Sequence, residues 1–375
     1  MNVRILLVGG GHSHVEVLRR FAEQPEPGVA LTLVSPDALT PYSGMLPGLV
    51  AGHYTHAEAH IDVPPLAQRA RARWLRDVVV GLDLGGRRAR LARLPAESFD
   101  LVSLDIGSTP DTSLPGAQAH AIGVKPVAGF LRAWTAIQDD ADLDRIASIA
   151  VVGGGAGGVE ILLAMQHRLG ALFGTRAPRF SIVTDTPHLL PQHAPSVRRR
   201  IGRVLVARDV VLHLDARAVA VEPGAVIVAD GRRVAAERIV WATAAAAQPW
   251  VAAAGLACDA RGFMRLDECL RSVSHPFVFG AGDCAAQDAH PRPKSGVYAV
   301  RQGPPLAANL RRAARGEPPQ AFAPQRAALA LISTGDRHAI ASRGAFAIEG
   351  DWVWRWKDRI DRAFMAKYRD PAVQR

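Results

Sequence analysis

The sequence predicts an α/β fold, and two stretches carry that prediction. Ile149-Ala-Val-Val-Gly-Gly-Gly-Ala-Gly-Gly-Val-Glu160 reads as a buried strand running into a glycine turn and a helix, with glycines at Gly153, Gly155 and Gly158. Val3-Arg-Ile-Leu-Leu-Val8 enters Gly9-Gly10-Gly11-His12-Ser13-His14 in the same way, and helical spacing follows from Val15 to Ala22. Short apolar runs bounded by glycine fit strands buried on both faces, as in parallel sheets. Glycines at this spacing give a tight turn, let backbone N–H groups approach a phosphate at a helix N-terminus, and permit close helix-on-strand packing.

The 375 residues suffice for two or three packed domains, and an apolar fraction of 49% is that of an ordinary soluble protein. Cys258, Cys269 and Cys284 show neither CxxC spacing nor an even count, which points to a reducing, cytoplasmic compartment. The net charge of +10 comes almost wholly from arginine, lysine standing only at 125, 294, 357 and 367. No basic stripe interleaved with aromatics accompanies it, so nucleic acid is not an expected partner. Val3 to Val8 is too short for a signal-peptide core. The alanine-rich tract from Ile239 to Cys258 is broken by Gln248-Pro249, which argues against a membrane span. His12 and His14 lack cysteine or carboxylate companions, so no metal is expected.

Within the first unit, His14 stands at the third glycine position and is expected to loosen helix-to-strand packing. The next strand, Leu31 to Val34, ends at Ser35, where an acidic residue would ordinarily hold a ribose; a hydroxyl bonds it more weakly. Arg76 to Leu84 and Ala89 to Leu94 read as a hairpin turning at Gly85-Gly86.

Thr40-Pro-Tyr-Ser-Gly-Met-Leu-Pro-Gly48, followed by Ala51-Gly-His-Tyr54, gives the chain a more specific character. With these motifs the sequence resembles, over nearly its whole length, the flavoproteins that carry two dinucleotide-binding domains. The nearest resemblance is to the pyridine nucleotide-disulfide oxidoreductase-like proteins that also occur fused ahead of selenophosphate synthetase; type II NADH dehydrogenases and sulfide:quinone oxidoreductases are relatives. The resemblance implies two Rossmann-like domains, one for FAD and one for NAD(P)H, the second inserted in the first. Residues 1–110 and 271–325 would form the FAD domain, 111–270 the NAD(P)H domain, and 326–375 a small C-terminal segment.

The resemblance also implies roles for residues. Pro41, Ser43, Gly44 and Met45 would line the isoalloxazine, with Gly9, Gly10, Gly11, His12 and Ser13 at the FAD diphosphate and Ser35 at its ribose. Phe99 to Pro110 resembles the strand-and-glycine signature that leaves the first domain, and brings Gly107. Pro276 to Cys284 matches the second FAD motif, in which Asp283, after Gly282, would bond the ribityl chain. Pro293 to Gly303 would start a helix whose N-terminus, at Gly296, faces the flavin, with Gln302 on the same helix. Gly153, Gly155, Gly158 and Glu160 would receive the pyridine nucleotide, Glu160 on its nicotinamide side. Asp185, after the strand Arg179 to Val183, leans to NADH. The strand that usually closes this domain on a glycine ends here at Ala244.

Two departures matter. Disulfide reductases of this architecture carry a Cys-x4-Cys pair after the flavin loop, whereas no cysteine here precedes residue 258, which excludes a dithiol relay. Quinone-reducing relatives place two glutamines on the helix after Lys294, where this chain has Val297 and Arg301. The expected activity is therefore an FAD-dependent NAD(P)H dehydrogenase with its acceptor open: a quinone, a sulfur or selenium species, or a protein. A sulfide- or selenide-oxidising quinone reductase and a non-catalytic flavin-binding partner in selenium metabolism are the alternatives. Lys125, Lys294 and Glu160 are the candidate groups beside the flavin, with a solvated loop lysine as the other reading of Lys125. In the tail, Trp352, Trp356, Ile360 and Phe364 recur every four residues amid arginines and lysines. That stripe either docks on its own protein or makes peripheral contact with the inner face of a membrane.

Overall fold

The computed structural model describes residues 2–243 and 245–369, so Ala244 lies outside the described residues. From the N-terminus the main elements are β1 (Val3–Val8), α1 (His12–Glu23), β2 (Val29–Val34), α2 (Leu46–Val50), β3 (Arg73–Leu75) and β4 (Leu101–Leu104). A second set follows: β5 (Ile122–Gly123), α3 (Val127–Asp142), β6 (Ser148–Val152), α4 (Ala156–Phe173), β7 (Arg179–Val183), α5 (Pro195–Ala207), β8 (Val211–His213) and β9 (Arg238–Trp241). The chain ends with β10 (Val278–Gly280), α6 (Gly296–Ala314), β11 (Ala330–Ser333), β12 (Ala339–Arg343), β13 (Phe346–Gly350) and α7 (Asp351–Ala366).

Two five-stranded sheets organise these elements, in the orders β10-β4-β1-β2-β3 and β5-β9-β6-β7-β8, every pair parallel. Helices α1 and α4 follow the central strands β1 and β6, so each sheet is covered and its central strand is buried along most of its length. Because β1 is flanked by β2 on one side and β4 on the other, its carboxyl end is a switch point, where open α/β sheets bind ligands. The fold is thus two Rossmann-like units, the second inserted between β4 and β10 of the first.

Each sheet has its own core. Ile5, Leu7, Val15, Leu18, Leu33, Val102, Phe279 and Leu306 belong to one, and Val151, Ile161, Leu162, Ile182, Ile201 and Val240 to the other. Val251, Leu256, Met264, Leu266 and Leu270 pack into the first core, although the sequence reading grouped residues 111–270 together. The return crossing is marked by an antiparallel pair, Thr109–Pro110 with Ala245–Ala246. The expected hairpin is present as Val79–Asp83 paired with Arg88–Leu91.

The C-terminal segment is a three-stranded antiparallel sheet, β11-β12-β13, closed by α7. Helix α7 docks on the protein through Val353, Lys357, Asp361, Phe364 and Met365. This corrects the docking reading of the stripe and leaves the other open: of its four residues only Phe364 is buried, while Trp352, Trp356 and Ile360 are 50%, 38% and 42% exposed.

Candidate functional site

Three loop segments meet at the carboxyl edge of the first sheet: Gly9–Gly11 after β1, Asp105–Gly107 after β4, and Gly282–Asp283 after β10. The turn needs its glycines. Gly9 has φ of +92° and a Cβ there would lie 2.4 Å from the Asp105 carbonyl oxygen; one on Gly10 would lie 2.9 Å from Ser35 Oγ. The Thr40 hydroxyl fastens the turn by donating to the Gly10 carbonyl at 2.7 Å. Rather than loosening the packing, His14 fills the space of the missing glycine. Its buried ring meets the Gly9 carbonyl through Nδ1 at 2.7 Å and Ser103 Oγ through Nε2 at 2.9 Å. Burial lowers both His12 and His14 to about 4, so both are neutral at physiological pH.

Asp105 is a group for which the sequence reading had no role. Its side chain lies at the N-terminus of α1 and accepts the Ser13 N–H at 2.8 Å and the His14 N–H at 3.2 Å. Ser13 is committed in both its polar groups, since its hydroxyl donates to the Ala299 carbonyl of α6 at 2.7 Å. Gly107 is open, with nothing within 4 Å of a notional Cβ. The Gly282 N–H donates to Gln302 Oε1 at 2.7 Å, so α6 fixes the turn after β10.

Asp283 does not stand alone. Lys125, which precedes α3, donates from Nζ to Asp283 Oδ2 at 2.7 Å and to Ser108 Oγ at 3.2 Å. Lys125 is thus a paired and not a freely solvated loop lysine: from the start of the inserted unit it reaches the turn after β10 of the other. Lys294 lies over the Phe263 ring at 4.0 Å and donates to the Ala285 carbonyl, and burial lowers its pKa.

The loop from Thr40 to Gly48 runs beside these groups. Met45 is fully buried, Ser43 is exposed, and a Cβ on Gly296 would lie 2.4 Å from Ser43 Oγ, so the loop rests on the first turn of α6. Tyr42 stacks on Phe364 of α7 with ring centroids 4.3 Å apart. Lys357 of α7 donates to the Gly44 carbonyl and, at 2.6 Å, to Asp361. Ser35 is buried, its hydroxyl donating to the Asp37 carbonyl at 3.3 Å.

In the second unit the glycine spacing is again steric. A Cβ on Gly153 would lie 2.3 Å from the Ala242 carbonyl oxygen and one on Gly158 2.0 Å from that of Gly153, while Gly155 faces open space. No side chain caps α4. Glu160, in its first turns, accepts the Ser333 N–H at 2.8 Å. Burial raises its carboxyl to about 7, against the lowering effect of the Lys357 ammonium and the Ser333 N–H. Asp185, exposed just beyond the end of β7, is the carboxylate nearest in sequence to that strand.

Residues 3–303 match the pyridine nucleotide-disulphide oxidoreductase family. The chain belongs to that family. An NADH dehydrogenase-like protein of Mycobacterium tuberculosis is 29% identical over 215 residues, 56% of this chain; the chain spans about half, 54%, of that relative's length. A type II NADH:quinone oxidoreductase of Staphylococcus epidermidis is 22% identical over 342 residues, 85% of this chain and 84% of its own length. Among solved structures, the sulfide:quinone oxidoreductase of Aquifex aeolicus superposes with a TM-score of 0.82 at 16% identity, over 98% of this chain and 91% of that one. NDH2 of Plasmodium falciparum, solved with NADH, gives 0.81 at 13% identity over 98% of both.

The family's cofactor is FAD and its substrate NAD(P)H, and the two cradles fit them. The turn at Gly9–Gly11 admits no side chain, Gly107 leaves open space beside it, and the uncapped α4 offers free N–H groups at an open Gly155. The structure brings together Gly9, Gly10, Gly11, Ser13, Gly282, Asp283, Gln302 and Lys125 on one side, and Gly44, Lys357 and Glu160 on the other. Lys357 and Asp361 were missed because the sequence shows them as one charged pair among many on a basic helix.

Proposed function

We propose that the protein is an FAD-dependent NAD(P)H dehydrogenase that delivers electrons to a quinone at a membrane surface. One observation carries this reading: α2, which continues the loop of Gly44, packs in one core with α4 of the other cradle through Leu46, Val50, Val159 and Leu163, and Lys357 donates to the Gly44 carbonyl at that seam while lowering the Glu160 carboxyl. This packing supports two nucleotide sites set side by side, as hydride transfer between their ligands requires. FAD, when bound, takes up the hydride that NAD(P)H gives and passes the electrons on.

The residues supply the rest. The Gly9–Gly11 turn and Asp283 hold the dinucleotide and its ribityl chain, while Gly153, Gly155 and Gly158 admit the diphosphate of the pyridine nucleotide. Asp185 supports NADH over NADPH, since a carboxylate at that strand end pairs with a ribose and repels a phosphate. The cysteines Cys258, Cys269 and Cys284 are free, and burial raises all three thiols, Cys284 to about 12, so none is a ready thiolate.

Quinone as acceptor is supported by the two quinone oxidoreductases to which the chain is similar and by the exposed Trp352, Trp356 and Ile360. No helix among the described residues is long and apolar enough to cross a membrane. Contact would therefore be peripheral, through this face of α7. Anaerobic stopped-flow mixing of the yellow protein with NADH or NADPH tests the assignment. Bleaching of flavin absorbance by NADH, reversed by a short-chain quinone, is expected; no bleaching by either donor at millimolar concentration would falsify it.

A further inference from the structure

The two cradles differ in one respect that their glycine patterns hide. At α4 no side chain caps the helix and Gly155 faces open space. At α1 the corresponding donors already hold an anion. Asp105, 3% exposed, takes the Ser13 and His14 N–H groups at 2.8 and 3.2 Å through Oδ2. Its carboxylate lies in the gap between the glycines of both FAD motifs. A Cβ on Gly11 would lie 2.3 Å from it and one on Gly282 2.4 Å from its Oδ1.

We propose that Asp105 is an internal acid in the diphosphate cradle and that, wherever its carboxyl is ionised, FAD binds with uptake of one proton by it. This rests on the assignment of the first cradle to FAD. A diphosphate brings charge of the same sign to donors that serve one anion well, and among the described residues no cation pairs with Asp105 to offset it. Two like charges on one helix end repel, and the cheapest relief is to protonate the carboxyl, which keeps its place and gains an O–H donor.

The groups facing Asp105 leave it as the one that titrates near neutrality. On α1, His12 and His14 are lowered to about 4 by burial and stay neutral. On the turn after β10, Asp283 faces Asp105 and raises it, and is itself paired with Lys125. Cys284 is raised to about 12 and stays protonated, with Lys294 beside it donating to the Ala285 carbonyl. Burial, opposed by the two N–H bonds, puts the Asp105 carboxyl at about 7 without the flavin. A diphosphate beside it raises it further. FAD affinity is therefore constant below that pH, where the carboxyl is neutral in both states, and falls as pH rises through it.

The test dilutes FAD-loaded protein to nanomolar concentration between about pH 6 and about pH 9 and reads the fluorescence of released FAD. The wild type is expected to lose affinity about tenfold per pH unit above about pH 7. Asp105→Asn, which keeps the shape and carries no charge, and Asp105→Ser, a second variant should the amide misfold, are expected to hold FAD independently of pH. Wild-type affinity that is flat over the range, or a slope that persists in both variants, overturns the proposal alone. A protein that takes up no FAD even at about pH 6 overturns it together with the cofactor assignment it rests on.

Discussion

Lys125 Nζ lies 2.7 Å from Asp283 Oδ2, although the two belong to different nucleotide-binding units. The carboxylate is 12% exposed and the lysine side chain 40%, so water screens the pair from one side only. Removing the lysine leaves a mostly buried carboxylate with Ser108 at 3.3 Å as its remaining side-chain partner. Lys125→Met is expected to weaken FAD retention by about 1 kcal/mol, roughly fivefold. Asp283→Ala should abolish retention. The ratio of flavin to protein absorbance after gel filtration checks both, and a fully yellow Asp283→Ala protein would show the ribityl assignment to be misplaced.

The parts of this site that the sequence displays are those where backbone geometry leaves no choice. Gly9, Gly153 and Gly158 are legible because a side chain at each would strike a carbonyl, and an apolar strand announces where the turn must come. Side chains that act across long separations are not legible. Lys125 lies 158 residues from Asp283, and Ser13 lies 92 from Asp105. Periodicity also could not choose at α7 between a docked and an outward stripe, and the most apolar stripe faces out. Its burial follows Val353, Lys357, Asp361 and Phe364, because docking there is decided by an ion pair and a carbonyl as well as by apolar area.

Glu160 should govern the pH dependence of flavin reduction. Oxidising NADH leaves a positive nicotinamide ring, which an ionised carboxylate on that side stabilises. With the Glu160 carboxyl near 7, the rate of flavin bleaching should rise as pH increases through that value. Glu160→Gln should be flat and about tenfold slower on the alkaline side, about 1.4 kcal/mol. The same shift has a stability consequence. A carboxyl raised from 4.5 to about 7 by folding favours the folded state most below pH 4.5, and that contribution is lost as pH rises to about 7. The Tm advantage of Glu160→Gln should therefore open across this window and stay constant above it. Equal slopes for both proteins would remove Glu160 from the nicotinamide site.

The outward face of α7 predicts a separable membrane function. Trp352 and Trp356 stack 6.5 Å apart with rings inclined by 9°, beside the exposed Ile360. Burying each indole further in a lipid interface contributes about 1–2 kcal/mol. The double variant Trp352→Ala, Trp356→Ala should lose tenfold or more in cosedimentation with anionic vesicles while NADH still bleaches its flavin at the wild-type rate. Undiminished vesicle binding would place the contact elsewhere.

Lys357 predicts a coupling between stability and catalysis. Its side chain and that of Asp361 are 11% and 6% exposed, so Lys357→Met leaves a buried carboxylate and the Gly44 carbonyl without their partner. Such a loss costs about 3–5 kcal/mol, whereas Lys357→Met combined with Asp361→Leu removes both charges and should recover most of it. Thermal melts distinguish the two. The ammonium also lowers the Glu160 carboxyl, and Asp361 raises it. Lys357→Met should accordingly move the midpoint of the flavin-reduction pH profile upward, and adding Asp361→Leu should bring it partly back. A Lys357→Met protein that melts lower with an unmoved midpoint would confine this lysine to holding α7 in place.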